Sequence, residues 1–316
     1  MQEPYPTKEI IEVAARRIAP FVHRTPVMSS SSINAMFGFD LFLKCENFQK
    51  VGAFKYRGAT NAVLCLTDDQ RKNGVATHSS GNHAQALALA ARNNKLKAYI
   101  VMPENSSVVK MDAVRGYGAE VITCKPTQQD REDTLDQVMK RTGATLVHPY
   151  NNYHIIAGQA TAAKEMIEDV KALDIIMAPV GGGGLLSGTA LSAHYFSPTS
   201  VVVAGEPKNA DDAYRAMQQG VIVPANPPST IADGLLTSLG DKTFDIIRKH
   251  VSEIVTVTEE EIIAAMRLVW ERMKIIIEPS SAVPVAAAIK SKDRFANKRI
   301  GIVISGGNVD LKKLPF

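Results

Sequence analysis

The sequence predicts an α/β protein of two lobes, each an open, mostly parallel twisted sheet with helices on both faces. Three observations carry this. Apolar, β-rich runs alternate with helical patterns along almost the whole chain of 316 residues. The runs are continuously apolar, as strands covered on both faces should be. They are also too numerous for one compact sheet.

In chain order the predicted strands lie at residues 41–45, 74–78, 98–102, 120–124, 145–148, 174–180, 201–206, 254–257 and 299–305. Helices fall between most of them. The Ala- and Leu-rich stretch Asn82–Asn93 is one. Another starts after Thr258, whose hydroxyl can cap the first turn while Glu261 reaches back. Ile262, Met266, Val269, Trp270 and Met273 then share one face. Residues 74–150 would form a smaller lobe of four strands, and residues 1–73 with 151–316 the larger one.

Composition narrows the function. The chain is 45% hydrophobic and 22% charged, ordinary for a soluble protein. No apolar run approaches the roughly 20 residues of a membrane span. The opening Met1-Gln2-Glu3-Pro4-Tyr5-Pro6 lacks a basic-then-apolar signal pattern. A cytoplasmic location with no membrane partner is therefore expected. A net charge of +4 with no dense Lys/Arg block gives nucleic acid no footing. Cys45, Cys65 and Cys124 are odd in number and form no C-x-x-C pair, which argues against disulfides and a Cys-rich zinc site. Cys45 and Cys124 read as buried, reduced thiols.

Open α/β sheets bind ligands at the carboxyl ends of their strands, so the loops that follow strands matter most. Val180-Gly181-Gly182-Gly183-Gly184-Leu185 runs from strand into helix. Its glycines let backbone N–H groups approach an anion, and the helix N-terminus adds a favourable dipole. A phosphate fits; a flexible turn is the bland alternative. A Walker loop needs a lysine after its last glycine, and here Gly188 is followed by Thr189. The third glycine of a dinucleotide fingerprint is replaced by Leu186 or Ser187, depending on the start. Glu206 still ends the next strand where a ribose-binding acid would sit. An NAD-dependent oxidoreductase thus stays open, with a monophosphate cofactor the better match.

Thr77-His78-Ser79-Ser80-Gly81-Asn82-His83 is a second strand-to-helix loop. Its amides and hydroxyls suit a carboxylate, although local sequence favours Ser79 or Ser80 as a plain helix cap. Val303-Ile304-Ser305-Gly306-Gly307-Asn308 is a third, with two glycines that permit close approach. Lys55 in Ala53-Phe54-Lys55-Tyr56-Arg57-Gly58 is, taken alone, a solvated surface charge. Desolvation between Phe54 and Tyr56 would lower its pKa and make a nucleophilic amine.

Together, Ala53 to Ala59, Ser79-Ser80-Gly81-Asn82-His83, the four glycines and Ser305-Gly306-Gly307-Asn308 occur in the order and spacing of the fold-type II pyridoxal-phosphate enzymes. The chain resembles that family's serine racemases and serine/threonine dehydratases, from His23-Arg24-Thr25-Pro26 to Asn308-Val309-Asp310-Leu311. The resemblance implies a pyridoxal 5'-phosphate enzyme that interconverts L- and D-serine, with β-elimination to pyruvate and ammonia as side activity. An L-serine/L-threonine dehydratase or a 3-hydroxyaspartate racemase/dehydratase is the alternative. The larger lobe would hold the cofactor and the smaller would carry the substrate loop.

The same resemblance implies roles. Lys55 would form the Schiff base, Phe54 would flank the ring and Asn82 would bond its 3-hydroxyl oxygen. Gly181, Gly182, Gly183 and Gly184, with the Leu185 amide, would hold the phosphate. Ser305 would meet the pyridine nitrogen, and a serine cannot stabilise a protonated ring as a carboxylate does. Lys55 would exchange protons on one face of Cα and Ser80 on the other. Simple threonine dehydratases commonly carry alanine at that position, so Ser80 favours a racemase. Ser79, Ser80, Gly81, Asn82 and His83 would bind the substrate carboxylate, with Arg131 nearby.

Residues 206–212 resemble the family's divalent-cation loop, with Glu206, the Ala210 carbonyl and Asp212 as ligands for Mg²⁺ or Ca²⁺. The residues alone suggest only Asn209 capping an acidic first turn. Ser30, Ser31, Ser32, Lys50, Gln85, Tyr117, Lys274 and Asn308 fall on or near the ATP effector site of animal relatives. Val51 departs there from the family's threonine, and Tyr150 from the animal asparagine. A homodimer is implied. With few residues after Leu311, the regulatory domain of biosynthetic threonine dehydratases is not expected.

Overall fold

A computed structural model describes residues 5–225 and 229–316. Among them ten strands form two sheets: β1 (Val27–Met28), β2 (Asp40–Cys45), β3 (Val75–His78), β4 (Ala98–Pro103), β5 (Glu120–Cys124), β6 (Thr145–Leu146), β7 (Ile175–Pro179), β8 (Val201–Pro207), β9 (Glu253–Val257) and β10 (Arg299–Ile304). The larger sheet has the order β1-β2-β10-β7-β8-β9 and the smaller β5-β4-β3-β6. All pairs are parallel except β1 with β2. The predicted fold class is the observed one.

The continuous apolarity of the strands has a direct cause. Successive side chains point to opposite faces, and both faces of the larger sheet are packed. Ile175 and Met177 of β7 join one core with Ile300, Ile302, Met266 and Ala282. Ile176 and Ala178 join the other with Leu186, Val202 and Ala204. Each fully buried Ile, Leu or Met there contributes about 1.5–3 kcal/mol.

The helix Asn82–Asn93 forms with the predicted bounds. Thr258 and Glu261 make the expected capping box, with Glu261 Oε2 accepting from the Thr258 N–H at 2.8 Å. Two strands differ from what the pattern predicts. β1 escapes detection because two residues leave no periodicity. The segment at 145–148 pairs only as far as Leu146. Beyond it the His148 ring accepts the N–H groups of Tyr150 and Asn151, turning the chain.

The helices Lys55–Leu64 and Tyr153–Asp169 cross at a glycine pair. A Cβ on Gly158 would lie 2.6 Å from the Gly58 Cα, so only glycine permits this approach. The crossing places the start of the first helix beside the ends of the strands. All three cysteines are free, with Cys45 and Cys124 buried. Burial pushes the Cys45 thiol up to about 12, so it stays protonated. Among the described residues no helix is long and apolar enough to cross a membrane.

Candidate active site

A cavity of about 440 Å³ opens where the carboxyl ends of β3, β7 and β10 converge. Phe54, Lys55, the loop Ser79 to His83, Arg131, the four glycines with Leu185, Ser305 and Asn308 all line it. Segments distant in sequence therefore meet in one place.

The glycine loop is fixed by what surrounds it. A Cβ at Gly181 would sit 2.8 Å from the Leu235 Cα, and one at Gly182 would sit 2.4 Å from the Tyr150 ring. Gly183 has φ +86°, which a side chain would strain. Gly183 is also the N-cap of the helix Gly184–Phe196, which has no side-chain cap. Its first amides are left for a ligand, and an anion is what they attract.

The second loop corrects an expectation. Neither Ser79 nor Ser80 caps the helix Asn82–Asn93; its N-cap is Gly81, without a side-chain cap. Ser79 Oγ instead accepts from the Gly81 N–H at 3.3 Å. Two uncapped helix N-termini thus face one cavity.

Lys55 is the first residue of its helix. The chain is pinned just before it: the Phe54 N–H donates to the Ser305 carbonyl at 2.9 Å, and Ala53 bridges Gly306. The amine donates to the Pro149 carbonyl at 3.0 Å and lies 5.2 Å from the centre of the Phe54 ring. Burial lowers its pKa to about 8, with Glu278 opposing the shift. An appreciable share of the amine is therefore neutral near pH 7.5.

Glu278 was not singled out from sequence. It precedes Pro279 at a helix start, and no local pattern says that its carboxyl turns inward. It is 3% exposed. Asn82 Nδ2 donates to both its oxygens at 3.1 Å. Burial raises it to about 7. Asn82 Oδ1 accepts from Asn308 Nδ2 at 2.9 Å, and that amide also donates to the Val51 carbonyl at 2.8 Å. Tyr150 also lines the cavity, its ring set against Gly182 and its Cβ and backbone against Gly184.

Burial holds two histidines here, His83 and His148, uncharged at neutral pH. Burial lowers His83 to about 3, and its Nε2 donates to the Val147 carbonyl at 3.1 Å. Burial likewise lowers His148 to about 4. Ser305, 2% exposed, pairs with Ser281 through hydroxyls 2.9 Å apart. Arg131 Nε has no hydrogen-bond partner among the described residues.

Glu206 lies outside the residues lining the cavity. Its oxygens accept the N–H groups of Ala213 and Tyr214, each at 2.8 Å, and so cap the helix Asp212–Gln219. It is not placed to bind a ribose beside the glycine loop. Asn209 does not cap that helix either; its Nδ2 donates to the Ser229 carbonyl at 3.1 Å. Asp212 is 2% exposed, and its Oδ2 has no partner among the described residues. Burial raises Asp212 to about 6 and Glu206 to about 9, the latter despite its two N–H donors. An orphaned carboxylate oxygen beside a second buried acid suits a divalent cation. Among the described residues no group of three or more His, Cys, Asp or Glu could hold one, so carbonyls and water would complete the shell.

The residues expected at the effector site come from separate elements of the fold. Ser30 caps the helix Ser31–Phe37, Ser31 and Ser32 are exposed, and Lys50 lies 5.8 Å from the centre of the Tyr56 ring. Tyr117 stacks with Arg92, Gln85 is half-buried, and Lys274 Nζ donates to the Glu271 carbonyl at 2.6 Å. Of these residues, Asn308 lines the cavity.

The profile of the family described as pyridoxal-phosphate dependent enzyme matches residues 18–306. A beta-hydroxyaspartate dehydratase of Paracoccus denitrificans is 49% identical, over 98% of this chain and 99% of its own. A serine racemase of Dictyostelium discoideum is 49% identical over 98% of this chain and 96% of its own. The crystal structure of serine racemase from Dictyostelium discoideum superposes with a TM-score of 0.93 at 50% identity, covering 96% of this chain and 99% of that one.

Proposed function

The chain belongs to the pyridoxal-phosphate-dependent enzymes, and from that premise we propose that it racemises serine, with β-elimination to pyruvate and ammonia as a side reaction. The observation that carries this is the meeting of Lys55, the uncapped glycine loop, Asn82, Ser305 and Ser80 in one cavity. The collisions that forbid side chains at Gly181 and Gly182 leave the loop's amides open to a phosphate.

When bound, the cofactor withdraws electrons from the substrate Cα and makes its proton acidic. Lys55 takes that proton on one face, its amine partly neutral through burial. Ser80 returns a proton on the other face. The Asn82 and His83 amides, with Ser79, hold the substrate carboxylate. Phe54, which lines the cavity, would flank the ring of the bound cofactor. Ser305, its hydroxyl paired with Ser281, would meet the ring nitrogen as a neutral partner and would bring no carboxylate to it. Loss of the β-hydroxyl as water after the same proton removal, followed by hydrolysis of the eliminated product by water, gives pyruvate and ammonia. Incubation with L-serine and resolution of the enantiomers should yield D-serine ahead of pyruvate. Pyruvate without D-serine would overturn the racemase reading.

One observation favours a second reading. The partnerless Arg131 Nε suits a second carboxylate, as in 3-hydroxyaspartate. Comparing turnover of L-serine, L-threonine and 3-hydroxyaspartate separates the two.

In the same proposal, residues 74–150 form the unit that carries the substrate loop, and 1–73 with 151–316 hold the cofactor. Glu206, the Ala210 carbonyl and Asp212 bind Mg²⁺ or Ca²⁺, a reading supported by the orphaned Asp212 Oδ2. ATP acts as an effector near Lys50 and Asn308, where Asn308 bonds to both Val51 and Asn82. The enzyme works as a cytoplasmic homodimer.

A further inference from the structure

Two residues beyond Lys55, on the same helix, Arg57 is the largest fully buried side chain among the described residues. Its guanidinium makes two forks. Nε and Nη2 donate to Glu46 at 2.8 and 2.9 Å. Nη1 and Nη2 donate to Glu165 at 2.8 Å each. Lys44 Nζ donates to Glu165 and to the Thr25 carbonyl, both at 2.6 Å, and Thr25 Oγ1 donates to Glu46. Two cations and two carboxylates thus form a neutral cluster, and none of the four lines the cavity. Burial works against the charge of Arg57, but Glu46 and Glu165 more than offset it and hold the guanidinium above its ordinary pKa.

A buried cluster of this kind is seldom more stable than apolar side chains of equal volume. What it offers is geometry. The planar fork admits one orientation on each carboxylate, which a lysine cannot reproduce. Glu46 comes from the turn after β2 and Glu165 from the helix Tyr153–Asp169, so the forks tie the Lys55 helix to two other elements. The Gly58–Gly158 contact sets how closely two of them approach. Lys55 needs such help. Among the described residues its amine is hydrogen-bonded only to the Pro149 carbonyl, and no carboxylate grips it.

We propose that Arg57 is a positioning residue for Lys55: its forks on Glu46 and Glu165 fix the helix that begins at Lys55, and so the place where the amine works. This rests on the reading of Lys55 as the amine that takes the cofactor.

The test compares the parent with Arg57→Lys and with the charge-neutral pair Arg57→Met/Glu46→Gln, which leaves Lys44 with Glu165. Circular dichroism establishes folding. In the holoenzyme the pair should lower kcat for L-serine about 30- to 100-fold, as expected for a displacement near 1 Å, with KM changed less than about threefold. Arg57→Lys should fail to restore it. A second readout needs no cofactor: competitive acetylation of the apo-protein, followed by mass spectrometry, gives the titration midpoint of Lys55. The parent midpoint should lie at about 8. In the variants it should climb toward the ordinary lysine value of about 10.4. The ionisable groups coupled to the amine, Glu278, His83 and His148, are untouched by these changes. A folded variant with kcat and the Lys55 midpoint both unmoved overturns the inference, as does an equal loss in kcat and in affinity with the midpoint unmoved. Should the pair not fold, Arg57→Lys decides by the same two readouts. Borohydride trapping of pyridoxal phosphate in the parent separates the two levels. Label on another lysine sinks the reading of Lys55 and this inference with it, whereas label on Lys55 with unmoved variants sinks the inference alone.

Discussion

The two walls of the cavity are built differently. The wall from the larger sheet, with Gly181 to Gly184, Leu185, Glu278 and Ser305, is buried throughout, and its glycines are enforced by backbone and side-chain contacts under 3 Å. The wall from the smaller sheet, with Ser79, Ser80, Gly81 and Asn82, is half-buried. A Cβ at Gly81 would meet nothing within 4 Å. One wall suits a group that stays, such as a cofactor phosphate. The other suits a carboxylate that enters and leaves with each turnover.

The largest effect should come from the fixed wall's amine. Lys55→Ala should lower turnover of L-serine by about 10,000-fold and abolish the holoenzyme's visible absorbance. A yellow, active variant would break the distinction between the walls. The glycines test it more finely. Gly182→Ala forces the Tyr150 ring to move and should weaken pyridoxal phosphate binding about 10- to 100-fold, read by titration of the apo-protein. Gly81→Ala should leave that affinity within about twofold and raise KM instead. Equal losses of cofactor affinity would mean that the walls share one task.

The smallest effect lies outside the cavity. Asp212 and Glu206 hold protons more tightly folded than unfolded, because burial penalises their charge. The stability they contribute is full below about pH 4. It is lost as pH rises through about 6 for Asp212 and about 9 for Glu206. On the proposed cation site, a divalent cation would replace the lost protons. Mg²⁺ or Ca²⁺ should therefore raise the thermal midpoint by a few degrees at about pH 8.5 and hardly at all at about pH 5. An equal rise at both would contradict a cation held by these two acids.

Local signals made the fold and the glycine motifs legible in the sequence. Strands packed on both faces read as unbroken apolar runs, and a capping box such as Thr258 with Glu261 lies within one turn. Features that depend on distant partners were not legible. Glu278 matters because Asn82, 196 positions away, reaches it. Arg57 reads as one more charge in a motif until Glu46 and Glu165 close around it. Ser79 and Ser80 look like caps, yet the helix starts past them at a glycine. Lys55 looked solvated until the Pro149 and Phe54 contacts placed it in the cavity.

The most direct test of a two-sided proton exchange follows D-serine and pyruvate together from L-serine, in the parent and in Ser80→Ala. The account predicts that D-serine formation falls at least about 100-fold while pyruvate formation stays within about fivefold. Parallel loss of both products, or D-serine formed at the parent rate, would contradict it.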